Sequence, residues 1–167
     1  AGGLYPEMPF NQQLSIPVEL SLSGSGSDAR LTRRPVSELS ELRGRKIEAD
    51  QEFIANGSPF SVKTDSKLLD ISFKIARGTS KGLYLLIRGQ YLAFDWVANT
   101  MTMTPSGTAK MVGDKPSVKI PDAPSLLVRI LVDVTSVEVF LNDGEISASY
   151  CFLPGGYENA IEMHTYS

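Results

Sequence analysis

The chain has 167 residues, 42% of them hydrophobic and 21% charged, which is typical of a single globular domain with its own core. A net charge of −3 makes nucleic acid and anionic membranes poor partners. No apolar stretch approaches the roughly 20 residues that cross a bilayer, and no secretion signal is visible. One histidine and one cysteine exclude an internal disulfide and a His/Cys-rich metal site, so we expect no metal or cofactor.

The first part of the chain predicts an extended lead-in followed by a hairpin. Residues 1–22 form the lead-in, because their three prolines each disfavour helix in the preceding residue. The Gly/Ser-rich turn Ser23–Asp28 joins Val18–Leu22 to Arg30–Arg33, which predicts that these two segments pair. We therefore divide the chain into a lead-in, residues 1–22, that ends in a first strand, and a main domain, residues 23–167.

A short connecting helix is predicted directly after the hairpin. Val36, Leu39 and Leu42 recur at a spacing of three, and Pro35 suits the first helical turn. Gly44 stands where a helix often ends. The apolar positions predict a connector and not a scaffold element.

From about residue 47 onward the pattern indicates short strands separated by turns. Val137, Val139 and Leu141 alternate with the polar residues Glu138 and Asn142, and Asn142-Asp143-Gly144 predicts a hairpin turn because these residues tolerate positive φ. The sequence therefore predicts an all-β fold, an antiparallel two-sheet β-sandwich of the concanavalin-like jelly-roll type. The predicted strands are Ile47–Ile54, Ser61–Val62, Leu69–Ala76, Gly82–Arg88, Tyr91–Trp96, Met101–Thr104, Val118–Ile120, Leu126–Val132, Ser136–Leu141, Ile146–Cys151 and Ala160–Thr165.

Catalytic groups are sparse. His164 has no accompanying Gly-x-Ser-x-Gly motif, so we interpret it as a histidine on a sheet face. Glycosidases need only two acids beside the sugar bond, and Asp133 with Glu138, or Asp95 with Glu158, would supply them. Nineteen acids produce such pairs by chance. The favoured interpretation is therefore that Asp133 caps a turn and Glu138 faces solvent or a backbone amide.

Residues suited to sugar binding cluster between positions 88 and 96. Arg88, Tyr91, Asp95 and Trp96 combine planar polar groups with aromatic rings that stack on sugars. In a strand, Tyr91 and Asp95 share one face, and Trp96 lies on the other, where core packing is favoured. A second polar and aromatic patch is Tyr157-Glu158-Asn159. The sequence leaves open which of the two borders a pocket.

Three segments resemble glycoside hydrolase family 32. Leu4–Leu22, which contains MPFNQ and PVELSL, resembles the exit from that family's five-bladed catalytic propeller. Arg30–Val36 is similar to the opening of the C-terminal domain, and Leu127–Gly144 resembles its most recognisable motif. Residues 45–125 match only in strand pattern.

The resemblance implies a non-catalytic accessory sandwich that stabilises its partner, the catalytic five-bladed propeller of the same polypeptide. Residues 1–22 would be the lead-in from that absent propeller, whose family cleaves β-fructofuranosides such as levan, inulin or sucrose. The family's catalytic carboxylates lie in Asn-Asp-Pro-Asn, Arg-Asp-Pro and Glu-Cys motifs, and none of these occurs here. No catalytic residue is therefore assigned. The resemblance also favours a secreted or periplasmic location, and self-association through the face that the propeller would cover.

A related group, carbohydrate-binding module family 66, holds the terminal fructose of fructans in a pocket. Fructan is therefore a candidate ligand, and Arg88, Tyr91, Asp95 and Trp96 are the candidate binding residues. A binding module should bring an aromatic ring, arginine and carboxylates to one cavity, whereas a structural sandwich should show an apolar docking patch. The open alternatives are a self-contained polysaccharide hydrolase or lyase with paired carboxylates, and a surface adhesive module.

Overall fold

A computed structural model describes residues 13–50, 54, 57–106, 110–112, 117–153 and 160–167. In these ranges the chain forms thirteen strands and three short 3-10 helices, the latter at Gly26–Asp28, Ser37–Leu42 and Asn142–Gly144. The strands are β1 Val18–Ser23, β2 Arg30–Pro35, β3 Phe60–Lys63, β4 Leu69–Ala76, β5 Gly82–Ile87, β6 Gln90–Asp95, β7 Thr100–Pro105, β8 Lys110–Val112, β9 Ser117–Lys119, β10 Ser125–Val132, β11 Ser136–Leu141, β12 Ile146–Leu153 and β13 Ala160–Tyr166.

The strands form two antiparallel sheets and a separate hairpin. The five-stranded sheet has the order β4-β10-β11-β12-β8, and the six-stranded sheet has the order β3-β13-β5-β6-β7-β9. Strands β1 and β2 pair as the hairpin, with Val18 opposite Pro35 and Ser23 opposite Arg30. The prediction of an all-β, two-sheet antiparallel sandwich is confirmed. The division into residues 1–22 and 23–167 stays a prediction.

The core lies between the two sheets and follows from the two-residue period of the strands. In β6, Leu92 and Phe94 point inward and are fully buried, whereas Tyr91 and Asp95 point outward and are half-buried. The five-stranded sheet meets them with inward residues such as Val139. Burial of this apolar surface, at roughly 25 cal/mol per Å², is the main stabilising contribution to the fold.

Two local predictions are corrected by the structure. The connecting helix is present, but Ser37–Leu42 is a 3-10 helix. Its apolar spacing of three is the period of a 3-10 helix, in which residues i and i+3 lie above one another. The predicted strand Ile47–Ile54 is wrong in its described part, because residues 47–50 and Ile54 carry no strand structure and residues 51–53 lie outside the described ranges. Residues 47–50 are exposed and pair with no strand in the described ranges.

The short strand β8 was not predicted. It has three residues and pairs with the end of β12. A segment of this length is too short to show an alternating pattern.

Candidate functional site

The segment that precedes the sandwich, residues 13–43, lies over the outer face of the five-stranded sheet around β11, and we call it the strap. The Ile16 backbone N–H donates a hydrogen bond of 2.6 Å to Oε1 of Glu138 on β11. The Thr135 hydroxyl lies 3.4 Å from Oε1 of Gln13. Further along, the Val36 N–H donates to the Pro17 carbonyl and so extends the pairing of the hairpin. The strap is therefore bonded both to the sheet and to itself.

The Asn142-Asp143-Gly144 turn after β11 is packed against the strap. All three residues have positive φ, and a Cβ built at Gly144 would overlap the Arg33 carbonyl oxygen. Glycine is needed here for the close approach of two backbones as well as for its φ of 88°. The Arg34 Nε also donates a hydrogen bond of 2.8 Å to the Asp143 carbonyl, so a side chain of β2 holds the turn next to this backbone contact.

A cavity of about 470 Å³ opens between β2, this turn and β10. Its size falls in the range of small-molecule pockets, roughly 300–1,000 Å³. Buried Phe140 and exposed Leu127 contribute apolar surface, and both arginines that border it are held in place by other groups. The lining residues are Arg34, Pro35, Ser72, Phe73, Leu127, Val128, Arg129, Phe140, Asp143 and Gly144.

Arg129 is fixed by a two-pronged ion pair. Its Nε and Nη2 lie 3.0 and 3.1 Å from the two oxygens of Asp70 on β4, and Arg43 of the strap binds the same carboxylate at 2.6 Å. Burial alone would raise the pKa of Asp70, but hydrogen bonds from Arg129 and Arg43 outweigh it and hold that pKa below 3.8. Asp70 therefore stays charged and offsets the positive charge of Arg129 at the cavity.

Glu138 is an acid buried beneath the strap. Its side chain lies on the outer face of β11, yet the residue is only 4% exposed because the strap passes over it. Burial raises its pKa above 4.5, and the hydrogen bond from Ile16 opposes this rise in part. Asp133 accepts a hydrogen bond from the Val134 N–H at 2.6 Å. The interpretation of Asp133 as a turn cap and Glu138 as the partner of a backbone amide is thus confirmed.

Two of the predicted sugar-binding residues are engaged in the fold. Trp96 is only 9% exposed, packs on Phe94 in the core and lies 5.2 Å from the Arg77 guanidinium. Asp95 Oδ1 accepts hydrogen bonds from two backbone N–H groups, those of Val97 and Ala98, and so caps the turn that follows β6. The core position predicted for Trp96 is confirmed.

The other two predicted residues, Tyr91 and Arg88, are not among the residues that line the cavity. Tyr91 lies on the outer face of the six-stranded sheet, where its ring meets that of Tyr84 edge-on at 5.3 Å. Arg88, with φ of 48°, donates to the Lys67 carbonyl at 3.1 Å. The structure does not bring Arg88, Tyr91, Asp95 and Trp96 to one cavity, and sugar binding by these four stays a prediction.

His164 belongs to the same outer face of the six-stranded sheet, as the sequence suggested. Its ring stacks on Tyr84 with centroids 4.7 Å apart, and its Nε2 lies 3.1 Å from a Glu162 oxygen. The second predicted patch, residues 157–159, lies outside the described residues, as does Glu158 of the proposed acid pair.

The cavity residues Arg34, Arg129 and Asp143 were not singled out in the sequence. A signal was nevertheless present, because the segments that carry the family resemblance, residues 30–36 and 127–144, contribute most of the cavity wall. Among the described residues no group of three or more His, Cys, Asp or Glu side chains is placed to hold a metal ion. None of the helical segments in the described ranges is long and apolar enough to span a membrane.

Fold and cavity together define a β-sandwich domain that bears a small-molecule-sized cavity, with both apolar and polar lining residues, on one outer face. The family model described as the C-terminal part of family 32 glycosyl hydrolases matches residues 38–167. The chain therefore belongs to this family of C-terminal domains. The expected family resemblance is confirmed.

Two curated relatives share this sequence at low identity. Sucrose-6-phosphate hydrolase of Escherichia coli is 24% identical over 143 residues, which cover 84% of this chain and 30% of the relative. A levanase of Bacillus subtilis is 25% identical over 174 residues, which cover 95% of this chain and 26% of the relative. The chain thus spans less than a third of the length of these relatives.

Solved structures show the same fold. The exo-inulinase of Aspergillus awamori superposes with a TM-score of 0.82 at 16% identity, over 98% of this chain and 35% of that one. A fructofuranosidase of Schwanniomyces occidentalis has a TM-score of 0.58 at 13% identity, over 90% of this chain and 36% of that one. At these identities the likeness concerns the fold alone.

Proposed function

We propose that this chain is the accessory sandwich of a glycoside hydrolase that cleaves β-fructofuranosides, and that it supports the catalytic part without breaking glycosidic bonds itself. The names of the relatives, a levanase and a sucrose-6-phosphate hydrolase, support the class of substrate. Their length supports a separate catalytic part, because this chain covers less than a third of each. Fructan binding by the sandwich is the second component of this proposal.

The observation that carries the supporting role is the apolar outward face of the β1–β2 hairpin. Leu22 pairs with Leu31, and Leu20 lies on the same face because cross-strand partners and alternate residues share a side. These three leucines are 76%, 55% and 59% exposed, while Thr32 on the opposite face is buried. Exposed apolar patches of this kind mark surfaces that bind another protein part. The occupant we infer is the catalytic part of the same polypeptide.

The acids of the alternative hydrolase hypothesis are poorly placed for catalysis. A glycosidase holds two carboxyl groups roughly 5–10 Å apart beside an accessible sugar bond. Glu138 is buried under the strap, and Asp133 and Asp95 each accept hydrogen bonds from backbone amides. These contacts favour a structural role for all three acids.

The first test is incubation of the chain with sucrose, inulin and levan, followed by measurement of released fructose. We expect no release above a heat-denatured control. Fructose release that depends on Glu138 or Asp133 would overturn the accessory role and favour the hydrolase hypothesis.

The second test addresses the hairpin face. Analytical ultracentrifugation of the chain should show weak self-association through the exposed leucines, because no catalytic part covers them. The variant with Leu20, Leu22 and Leu31 all changed to Ser should be monomeric at the same concentration. A matched variant with Leu68, Val97 and Val134 changed to Ser, all exposed apolar residues elsewhere, should still associate. Equal behaviour of the two variants would contradict the assignment of the docking face.

A further inference from the structure

We propose that the cavity between β2, the Asn142-Asp143-Gly144 turn and β10 binds an uncharged, hydroxyl-rich ligand, namely the end of a fructan chain. The choice of fructan over other sugars rests on the proposed function. The binding site itself is argued from the cavity's own groups.

The first argument is that polar groups around the cavity are not used by the fold. Arg34 donates only its Nε, to the Asp143 carbonyl, which leaves both terminal nitrogens of its guanidinium without a partner among the described residues. The Asp143 carboxylate and the Ser72 hydroxyl also have no hydrogen-bond partner among the residues that the structure describes. Donors and acceptors therefore border one space, and sugar hydroxyls need both because each is a donor and an acceptor.

The second argument is that the arginines are held before any ligand arrives. The Nε of Arg34 is bound at 2.8 Å, and Arg129 is held by two contacts to Asp70. A side chain that is already ordered loses little conformational entropy when a ligand binds. The remaining donors of both guanidinium groups are thus suited to orient hydroxyl groups.

The third argument concerns the apolar part of the wall. Leu127 is 46% exposed at the cavity, and buried Phe140 and half-buried Pro35 line it as well. Sugar rings carry C–H surfaces that pack against such groups, and small-molecule sites combine an apolar lining with a few polar groups. The combination fits a sugar better than it fits a hydrated ion.

The fourth argument is the balance of charge, which disfavours a phosphate or another anion. The charge of Arg129 is offset by Asp70, and Asp143 lines the same cavity as Arg34. An anion would be attracted by Arg34 and repelled by Asp143, whereas a neutral sugar meets no such repulsion.

The test combines affinity electrophoresis in gels that contain levan or inulin with calorimetric titration of short fructo-oligosaccharides. Arg34→Met removes the donors and keeps the length of the side chain, and Asp143→Asn removes the charge in a residue type that tolerates the φ of 56°. We expect the dissociation constant to rise at least about tenfold in each variant, equivalent to about 1.4 kcal/mol. Circular dichroism and thermal melting establish that both variants are folded.

Matched controls are Arg30→Met and Asp28→Asn, which make the same changes at exposed hairpin positions outside the cavity. Both should bind like the wild type. Tyr91→Ala is a third comparison, because Tyr91 is a predicted sugar-binding residue on the other sheet.

The proposal is overturned if the wild type binds no fructan, if Arg34→Met and Asp143→Asn bind like the wild type, or if only Tyr91→Ala loses binding. Titration with inorganic phosphate is a further arm. Binding of phosphate alone, lost in Arg34→Met, would show an anion site and also overturn it. A wild type that binds no fructan would also remove the fructan-binding component of the proposed function, whereas unchanged binding in Arg34→Met and Asp143→Asn would reject this site alone. Fructose release tests the non-catalytic role separately.

Discussion

The two sheets of the sandwich share one core, but their outer faces are built differently. On the five-stranded sheet, main chain from the strap covers β11, and Ser136, Glu138 and Phe140 are all buried although they point away from the core. On the six-stranded sheet, outward side chains are half-buried by one another, as in the stack of Tyr84 on His164. One face is covered by another segment of the chain, and the other by its own side chains.

This difference explains why the candidate site lies on the strapped side. A pleated sheet covered only by its own side chains presents a shallow surface. When a second layer of backbone crosses the sheet, its edge and the sheet enclose a space, and here that space is the cavity between β2 and β10. The same layer removes water from Glu138 and so raises the pKa of its carboxyl group.

The contact between the strap and the Asn142-Asp143-Gly144 turn should give the largest effect. Gly144→Ala places a methyl group where the Arg33 carbonyl lies, in addition to the cost of positive φ. We expect a loss of about 3 kcal/mol in the free energy of unfolding, measured with urea. Gly57→Ala is the matched control, because Gly57 has a φ of 81° and open space around it, and should lose about 1 kcal/mol. Equal losses would show that the strap is not seated on the turn.

Glu138→Gln should change the pH dependence of stability and not its magnitude alone. Because burial raises the pKa of Glu138, the folded state holds this proton more tightly than the unfolded state. Stability of the wild type should therefore fall, relative to the variant, as the pH rises from about 4.5 through the raised pKa. At pH 4.5 we expect the free energies of unfolding of the two proteins to differ by about 1 kcal/mol or less, because the amide oxygen of the glutamine still accepts the hydrogen bond from the Ile16 N–H.

Urea unfolding at a series of pH values checks this prediction. Two parallel curves for the wild type and Glu138→Gln would mean that the strap does not bury this carboxyl group in solution.

The ion pair at Asp70 should give a much smaller effect than Gly144→Ala, and one no larger than that of Glu138→Gln. Asp70→Asn removes the partner of Arg129 and Arg43, both partly exposed, and should cost about 0.5–1 kcal/mol at pH 7. Because the pKa of Asp70 is lowered, its contribution is present above pH 3.8 and is lost as the pH falls through the lowered value. The stability difference should therefore vanish in acid.

Glu48→Gln is the control for Asp70→Asn, since its ion pair with Lys46 is almost fully exposed and its removal should have no measurable effect. A difference for Asp70→Asn that persists in acid would contradict the electrostatic origin of the effect.

Much of the sandwich could be predicted from local pattern. Strands Leu69–Ala76 and Ser136–Leu141 were predicted with the boundaries that the structure shows, because apolar residues recur at every second position along both of them. The Asn142-Asp143-Gly144 turn was predicted from residue types that tolerate positive φ, and all three residues have it. By contrast, the pattern at residues 47–50 suggested a strand, but these residues pair with no strand in the described part of the chain.

The residues of the candidate site could not be identified from local sequence pattern. Arg34, Ser72, Arg129 and Asp143 come from four separated parts of the chain, and no spacing along the sequence relates them. The predicted residues Arg88 to Trp96 are neighbours in sequence, but alternation sends their side chains to opposite faces of β6.

Composition and residue periodicity were enough to establish an all-β domain, its strand positions and its turns, because these depend on interactions between residues close in sequence. The location of the cavity and the burial of Glu138 depended on how the strap lies across the five-stranded sheet. That arrangement joins residues more than 100 positions apart, as in the Ile16–Glu138 hydrogen bond. Contacts of this range arise from packing of the whole chain, and no local pattern encodes them.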